Sequence, residues 1–383
     1  MKLRNKILNL LSAAALSMAV VTTLFTNTAT APTLHATGTE TLKTATFAYL
    51  DVGQGNAELI KTGKKTILID TGKESEYDEL EYQLKKLKVS KIDTLIISHP
   101  DADHMENADD VIKDYDVKQV IMPKVSATTQ CYEHLKSTIK SEKVETIHPE
   151  TGDTLNLAKN CKANVLSIDA SSSDKNEASL VMRVTYGDTS FLYMGDVTAK
   201  VEGDILESGE TVASDVYLMS HHGSDTANGI LFQKKVLSAN NKIAIISVGQ
   251  DNSYGHPAKQ VVDRAKRFAD EVYRTDKKGA IVLKSDGSKL TESFIKVTHS
   301  SSSGSPQKSS SGNSNGNRHK NNNSNHNNQS TTTRNSATGT YVYVTETGTK
   351  YHKAGCRYLN RSKIRKRLSE ARNAGYEPCS VCN

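Results

Sequence analysis

The segment Ser98-His99-Pro100-Asp101-Ala102-Asp103-His104 restricts what this chain can fold into more than any other stretch. It follows an apolar run, residues 94–97, that reads as a short buried strand. Two imidazoles and two carboxylates are thus delivered together at a strand end. Mixed nitrogen and oxygen donors at this density suit a divalent ion such as Zn²⁺, Mn²⁺ or Fe²⁺. On a sharp loop alternate side chains face one pocket, so His99 with Asp101 is expected to clasp one ion and Asp103 with His104 a second. The structural alternative is a solvated loop in which Asp103 caps a helix beginning at Met105.

Around this loop the pattern is layered. Residues 46–52, 57–61 and 66–69 read as short strands, with turns at Gly53-Gln54-Gly55 and Gly63-Lys64. Leu80, Leu84 and Leu87 at helical spacing predict a helix over 77–89. Beyond the polar loop come a helix to Tyr115, a strand over 119–122 and a helix around 133–140. Strands over 179–185 and 190–194 lead into Gly195-Asp196, and a strand over 215–219 ends in Ser220-His221-His222-Gly223-Ser224. A further strand, 243–248, precedes Asn252-Ser253-Tyr254-Gly255-His256-Pro257. Strands first and then alternation with helices give an α+β or α/β sandwich.

These motifs, together with Asp51-Val52-Gly53-Gln54-Gly55-Asn56-Ala57 and Leu68-Ile69-Asp70-Thr71-Gly72, resemble in order those of the metallo-β-lactamase superfamily, whose first loop reads H-x-H-x-D-H. Within it the chain resembles the hydrolase domain of ComEC-type DNA-uptake proteins and their free-standing secreted relatives, where an Asp replaces the second His. The resemblance spans residues 45–292 and implies an α+β fold of αββα type, with two divalent ions, Zn²⁺ or Mn²⁺, at one edge. It implies His99, Asp101, Asp103, His104, Asp196 and one of His221 and His222 as ligands, with His222 favoured by its place before Gly-Ser. Asp196 would bridge the ions, Asp103 would also orient the water, and Asp70 would orient a ligand imidazole. His221 is expected over the substrate, and His256 is expected to protonate a leaving group or bind the scissile phosphate. The sequence departs from the pattern at Asn56, where an Asp is usual. Asn176-Glu177-Ala178-Ser179 stands where the wider superfamily has another His, while His134 and His148 are expected on the surface. The implied reaction is metal-assisted hydrolysis of a phosphodiester, DNA first. A surface phosphodiesterase acting on choline phosphate or teichoic acid, and a non-catalytic surface-binding or nucleic-acid-binding protein, are the alternatives.

The ends of the chain differ in kind. Lys2, Arg4 and Lys6, an apolar run over 7–25 and then small residues follow the order of a secretory signal peptide, so residues 1–36 are assigned as a leader. The mature chain is expected to be extracellular, free or at the cell surface, without a stable membrane span. Residues 37–298 form the expected catalytic unit, and 299–340, rich in Ser and Asn, the expected disordered linker. Residues 341–383 place His352 and Cys356 ahead of Cys379 and Cys382, the spacing of a structural zinc module; disulfide pairing is the rival in an exported chain. Cys131 and Cys161 either pair or remain thiols.

Charge divides the same way. The chain totals +6, yet the leader contributes +3, the linker +4 and the tail +6, which leaves about −7 on the catalytic unit. A polyanion, DNA or a cell-wall polymer, is therefore expected to be gathered by the basic tail, with Ser362-Lys363-Ile364-Arg365-Lys366-Arg367 as a phosphate grip and Tyr351 and Tyr358 as stacking partners.

Overall fold

A computed structural model describes residues 42–297, 341–353, 356–359 and 362–382. The expected leader and the expected linker lie outside the described residues. Among the described residues no helix is long and apolar enough to cross a membrane.

Two sheets face each other. In the first, of eight strands, the strand Ala45–Tyr49 pairs antiparallel with Glu58–Thr62 and with Ala280–Ser285. Beyond Lys65–Ile69 the sheet turns parallel, through Thr94–Ile96 and Gln119–Ile121 to Glu145–Ile147. The second sheet, of seven strands, repeats the design: the hairpins Thr154–Ala158, Cys161–Ser167, Val181–Tyr186 and Thr189–Tyr193 are antiparallel. Val216–Leu218, Ile243–Ile246 and Glu271–Arg274 then continue it in parallel.

Alternation along the strands sorts the apolar residues into layers. Phe47, Tyr49, Ile67, Ile69, Phe191 and Tyr193 point between the sheets, where the Phe47 and Phe191 rings stack 3.7 Å apart. Ala48 and Leu68 point outward to the helices Tyr77–Lys86 and Ala108–Asp114. Leu192 and Tyr217 point outward to Ala199–Ser208 and Lys259–Phe268. This is the αββα sandwich expected. The expected helix over 77–89 ends early, because Lys88 turns left-handed, and the strands Thr154–Ala158 and Cys161–Ser167, whose apolar and polar residues alternate, were not among the expected elements.

The tail forms its own four-stranded sheet, Ile364–Arg367 beside Tyr341–Val344, Lys350–His352 and Glu377–Pro378. It is docked on the helix face of the first sheet. The Arg365 guanidinium lies between the rings of Tyr77 and Tyr341, 3.6 and 3.5 Å from their centroids, and 3.6 Å from Asp110. Arg367 and the Tyr341 hydroxyl both meet Asp114, and the Tyr343 hydroxyl donates to Asp78 at 2.8 Å. This corrects the expected phosphate grip: Arg365 and Arg367 are spent on the acidic catalytic unit, and Tyr351 is buried. Their attraction to that unit follows from the opposite charges of the two segments, a pairing the residue order alone does not reveal. No disulfide joins the five cysteines, so Cys131 and Cys161 do not pair and the disulfide alternative for the tail is not realised.

Candidate metal centre

Parallel strands leave their C-terminal ends on one edge of each sheet, and in this sandwich those edges meet. From the first sheet come Asp70, after Lys65–Ile69, and the His99–His104 loop, after Thr94–Ile96. From the second come Asp196, His221 and His222, and the loop carrying His256. The loops are stapled to one another through backbone groups. The Asp103 carbonyl accepts from Asn56 N at 3.0 Å, the His104 carbonyl from Thr71 N at 2.7 Å, and the Ser98 carbonyl from Leu180 N at 2.8 Å. A Cβ on Gly55 would lie 2.5 Å from the Asp103 carbonyl oxygen, so only glycine lets the two loops approach this closely. Asn56, where the pattern has Asp, thus acts through its backbone.

Hydrogen bonds fix which nitrogen each imidazole presents. Asp70 accepts from Ser98 N at 2.7 Å, from the Ser98 hydroxyl at 2.7 Å and from His104 Nδ1 at 2.8 Å. With its proton committed to Asp70, the Ser98 oxygen is left to accept from His99 Nδ1 at 3.0 Å. His222 Nδ1 lies 2.9 Å from the Ser247 carbonyl, which can only accept. All three rings therefore hold a proton on Nδ1 and turn Nε2, the nitrogen a metal ion would take, inward.

Those inward atoms are the ones left without partners. His99 Nε2, His104 Nε2, His222 Nε2 and Asp196 Oδ1 are buried and make no hydrogen bond. Buried polar atoms are ordinarily satisfied, so four orphans converging on one place fit the donor set of a cation. Two sets of donor atoms lie within 4.8 Å of one another: His99, His104 and Asp196, and Asp103, His104 and His222. Asp196 stands 3.2 Å from His104 Nε2 and 3.4 Å from His222 Nε2.

Electrostatics agree with a site built for positive charge. Burial works against charge on Asp196, yet His104 and His222 hold it well below the usual carboxylate range, and Asp103 is lowered in the same way by His222 and His104. Burial likewise opposes the His222 cation, but Asp196 and Asp103 raise it to about 9. His99 is pushed down to about 3 by burial and by His104.

The pairing within the loop differs from the expectation. His99 groups with His104 and Asp196 rather than with Asp101. Asp101 belongs to neither set; it lies 3.8 Å from His99 Nε2 and is paired with Lys175 at 3.3 Å. His222 joins a donor set and His221 does not, its Nε2 being 3.8 Å from Asp196 Oδ2. His221 and His256 line the cleft above, with ring centroids 5.4 Å apart. His134 and His148 are exposed, away from the centre. Ser98, Ser247 and the buried Glu58, whose carboxyl is pushed up by burial and by Asp70, escaped the sequence reading. Of these only Ser98 carried a signal, its place inside the motif.

In the tail, His352, Cys356, Cys379 and Cys382 bring one donor atom each within 4.8 Å of one another, as their spacing suggested. His352 Nδ1 is 3.3 Å from Cys356 Sγ.

The sandwich with a His/Asp cluster at its edge defines a metallo-β-lactamase fold, and residues 50–143 match the family model of the metallo-beta-lactamase superfamily. That match covers about a quarter of the chain, and competence proteins are among the proteins that the chain is similar to. It is 29% identical over 251 residues to ComE operon protein 3 of Bacillus subtilis, covering 61% of this chain and 32% of that protein. It is 27% identical over 236 residues to Competence protein ComA of Neisseria gonorrhoeae, covering 60% and 31%. The chain thus spans about a third of the length of the curated relatives it matches. Among solved structures it is similar to the metallo-beta-lactamase fold protein YhfI from Bacillus subtilis, at 13% identity and a TM-score of 0.45, covering 63% of this chain and all of that one.

Proposed function

We propose that the catalytic unit is a metal-dependent phosphodiesterase acting on DNA in the extracellular space. The observation that carries the hydrolase reading is the convergence of four unpartnered donor atoms under a cleft lined by Gln54, Asp101, Asp103, Asn176, Asp196, His221, His222, Tyr254 and His256. No Ser, Thr or Cys is in that lining among the described residues, so the nucleophile is assigned to water. Divalent ions held here would supply an activated water and neutralise charge building on a phosphate oxygen. His99, His104 and Asp196 would hold one ion; Asp103 and His222 would hold the second, with His104 common to both donor sets and Asp196 3.4 Å from His222 Nε2. Asp103, partly exposed to the cleft, orients the attacking water. His221 and His256 face the substrate, where a ring N–H would donate to a phosphate oxygen; burial and the neighbouring His221 and His222 lower the His256 pKa. DNA is favoured over cell-wall phosphodiesters because the relatives are competence proteins.

In the tail module, a zinc ion bound by His352, Cys356, Cys379 and Cys382 would staple a unit too small for a sufficient core of its own. Elemental analysis of Cys379→Ser is expected to show one zinc fewer per chain with the catalytic metal retained. DNA contact by the tail would fall to Arg357 and Tyr358, which stack together and are exposed.

The test is incubation of the chain and of Asp103→Ala with single-stranded and linear duplex DNA in Mn²⁺ or Zn²⁺. Cleavage by the parent alone supports the reading. No cleavage in any metal, with ions bound, overturns it in favour of a cell-wall phosphodiester.

A further inference from the structure

The cleft over the candidate metal centre is small, about 170 Å³, well below the several hundred cubic ångströms that enclose a whole ligand. It can take a phosphodiester group, but a nucleobase attached to that group must lie on the rim. The rim offers one prepared surface. Tyr254 lines the cleft with Asp103, Asp196 and His222, yet its side chain is 61% exposed, the most exposed aromatic among the described residues.

Its loop is held in place rather than loose. Asn252 uses both ends of its amide: Nδ2 donates to the carbonyls of Gly249 at 3.0 Å and His256 at 2.7 Å, and Oδ1 accepts from Tyr254 N at 3.2 Å and His256 N at 3.1 Å. Gln54 accepts from Gly249 N at 3.2 Å and ties the loop to the opposite sheet. The Tyr254 ring lies nearly parallel to the His256 ring, 25° apart in plane with centroids 5.9 Å apart. Lys73 Nζ is 5.7 Å from the Tyr254 centroid. Lys175, at Asp101, is a second cation near the cleft.

An exposed aromatic beside a phosphate-sized cleft, flanked by lysines on an otherwise acidic unit, has the composition of a single-strand binding platform. We infer that Tyr254 is a stacking platform for the unpaired base next to the scissile phosphate, with Lys73 contacting the neighbouring phosphate, so that the site takes single-stranded DNA. The inference rests on the phosphodiesterase reading and adds the form of substrate to it. Stacking is tolerant of base identity, so cleavage is expected to be independent of sequence. A paired base is unavailable to the ring, so a duplex enters only where its strands have separated. Tyr254 acts as a positioning residue: it holds the base and leaves the reacting atoms to other groups.

The experiment uses the full chain with bound metal, and its Tyr254→Ala and Tyr254→Phe variants. Fluorescence anisotropy measures binding of a short oligothymidylate and of an abasic oligonucleotide of the same length. The parent and Tyr254→Phe are expected to bind the oligothymidylate about ten-fold more tightly than the abasic strand, and Tyr254→Ala is expected to lose that ratio. Equal ratios in parent and Tyr254→Ala overturn the inference. So does an equal weakening of both strands in Tyr254→Ala, which would mean that the ring merely supports His256. Hydrolysis of methyl p-nitrophenyl phosphate, which has no base, by the parent reports separately on the phosphodiesterase reading. If the parent leaves that ester intact, the chemistry is wrong, while the binding ratio still decides the role of Tyr254.

Discussion

Replacing Asp70 by Asn tests how the candidate centre is organised, because it changes one atom and leaves the backbone at ease. Asp70 is buried and adopts a left-handed conformation, φ 55°, that Asn tolerates as well as Asp. The new amide can keep one bond by turning Oδ1 to Ser98 N. Its Nδ2 then faces the Ser98 hydroxyl and His104 Nδ1, and both now donate to Asp70. Two charge-assisted hydrogen bonds are lost, each contributing roughly 1.5–3 kcal/mol, and donors are left opposed. The ring relieves this by moving its proton from Nδ1 to Nε2, the atom aimed into the centre. The metal-free protein is expected to lose roughly 3 kcal/mol of stability, read as a shift of the urea midpoint. Affinity for Mn²⁺ or Zn²⁺, measured by competition with a chromophoric chelator, is expected to fall about 10- to 100-fold. Unchanged metal affinity in a folded variant would refute the tautomer argument. Lost stability with full affinity would reduce Asp70 to a structural role.

Three further outcomes follow from the geometry. Gly55→Ala forces the loop of Gly55 away from the Asp103 carbonyl, 2.5 Å from the added carbon, and is expected to weaken metal binding at least about ten-fold in the same competition assay. Gly203→Ala, with open space around it inside a helix, is the control expected to leave affinity alone. Arg365→Ala removes the cation between Tyr77 and Tyr341 at a cost of about 2 kcal/mol, so amides of 341–344 and 364–367 should exchange faster while those of Thr189–Tyr193 keep their protection; equal protection throughout would deny that Arg365 anchors the module. Glu202 is raised to about 7 by burial, which outweighs the bonds it accepts from Gly229 N and Asn228 N. Its folded pKa lies above the unfolded value, so the wild type is expected to lose roughly 3 kcal/mol relative to Glu202→Gln as pH rises from 4.5 to 7; urea midpoints that keep a constant difference across that window would contradict it.

What could be read from the residue order and what could not divide along a physical line. The donors of the first loop, their position after a buried strand and the two close Cys/His pairs of the tail were legible, because backbone geometry within a few residues fixes which groups can approach one another. The strands bearing Phe47, Ile67 and Phe191 were legible for the same reason, since short apolar runs bounded by turn residues are a local property. Asp70 was visible as a residue that orients a ligand imidazole, but that the ring is His104, 34 positions away, was not. The exclusion of Asp101 from both donor sets and the choice of His222 over His221 were decided by which loops meet at the sheet edges and which Nδ1 finds a carbonyl. The tail's basic face read as a free polyanion grip, because a charge count cannot say which charges already neutralise each other. Only the folded chain brings Arg365 and Arg367 onto Asp110 and Asp114 and leaves Tyr254 exposed beside a cleft, since these contacts join segments that chain connectivity leaves free to choose their partners.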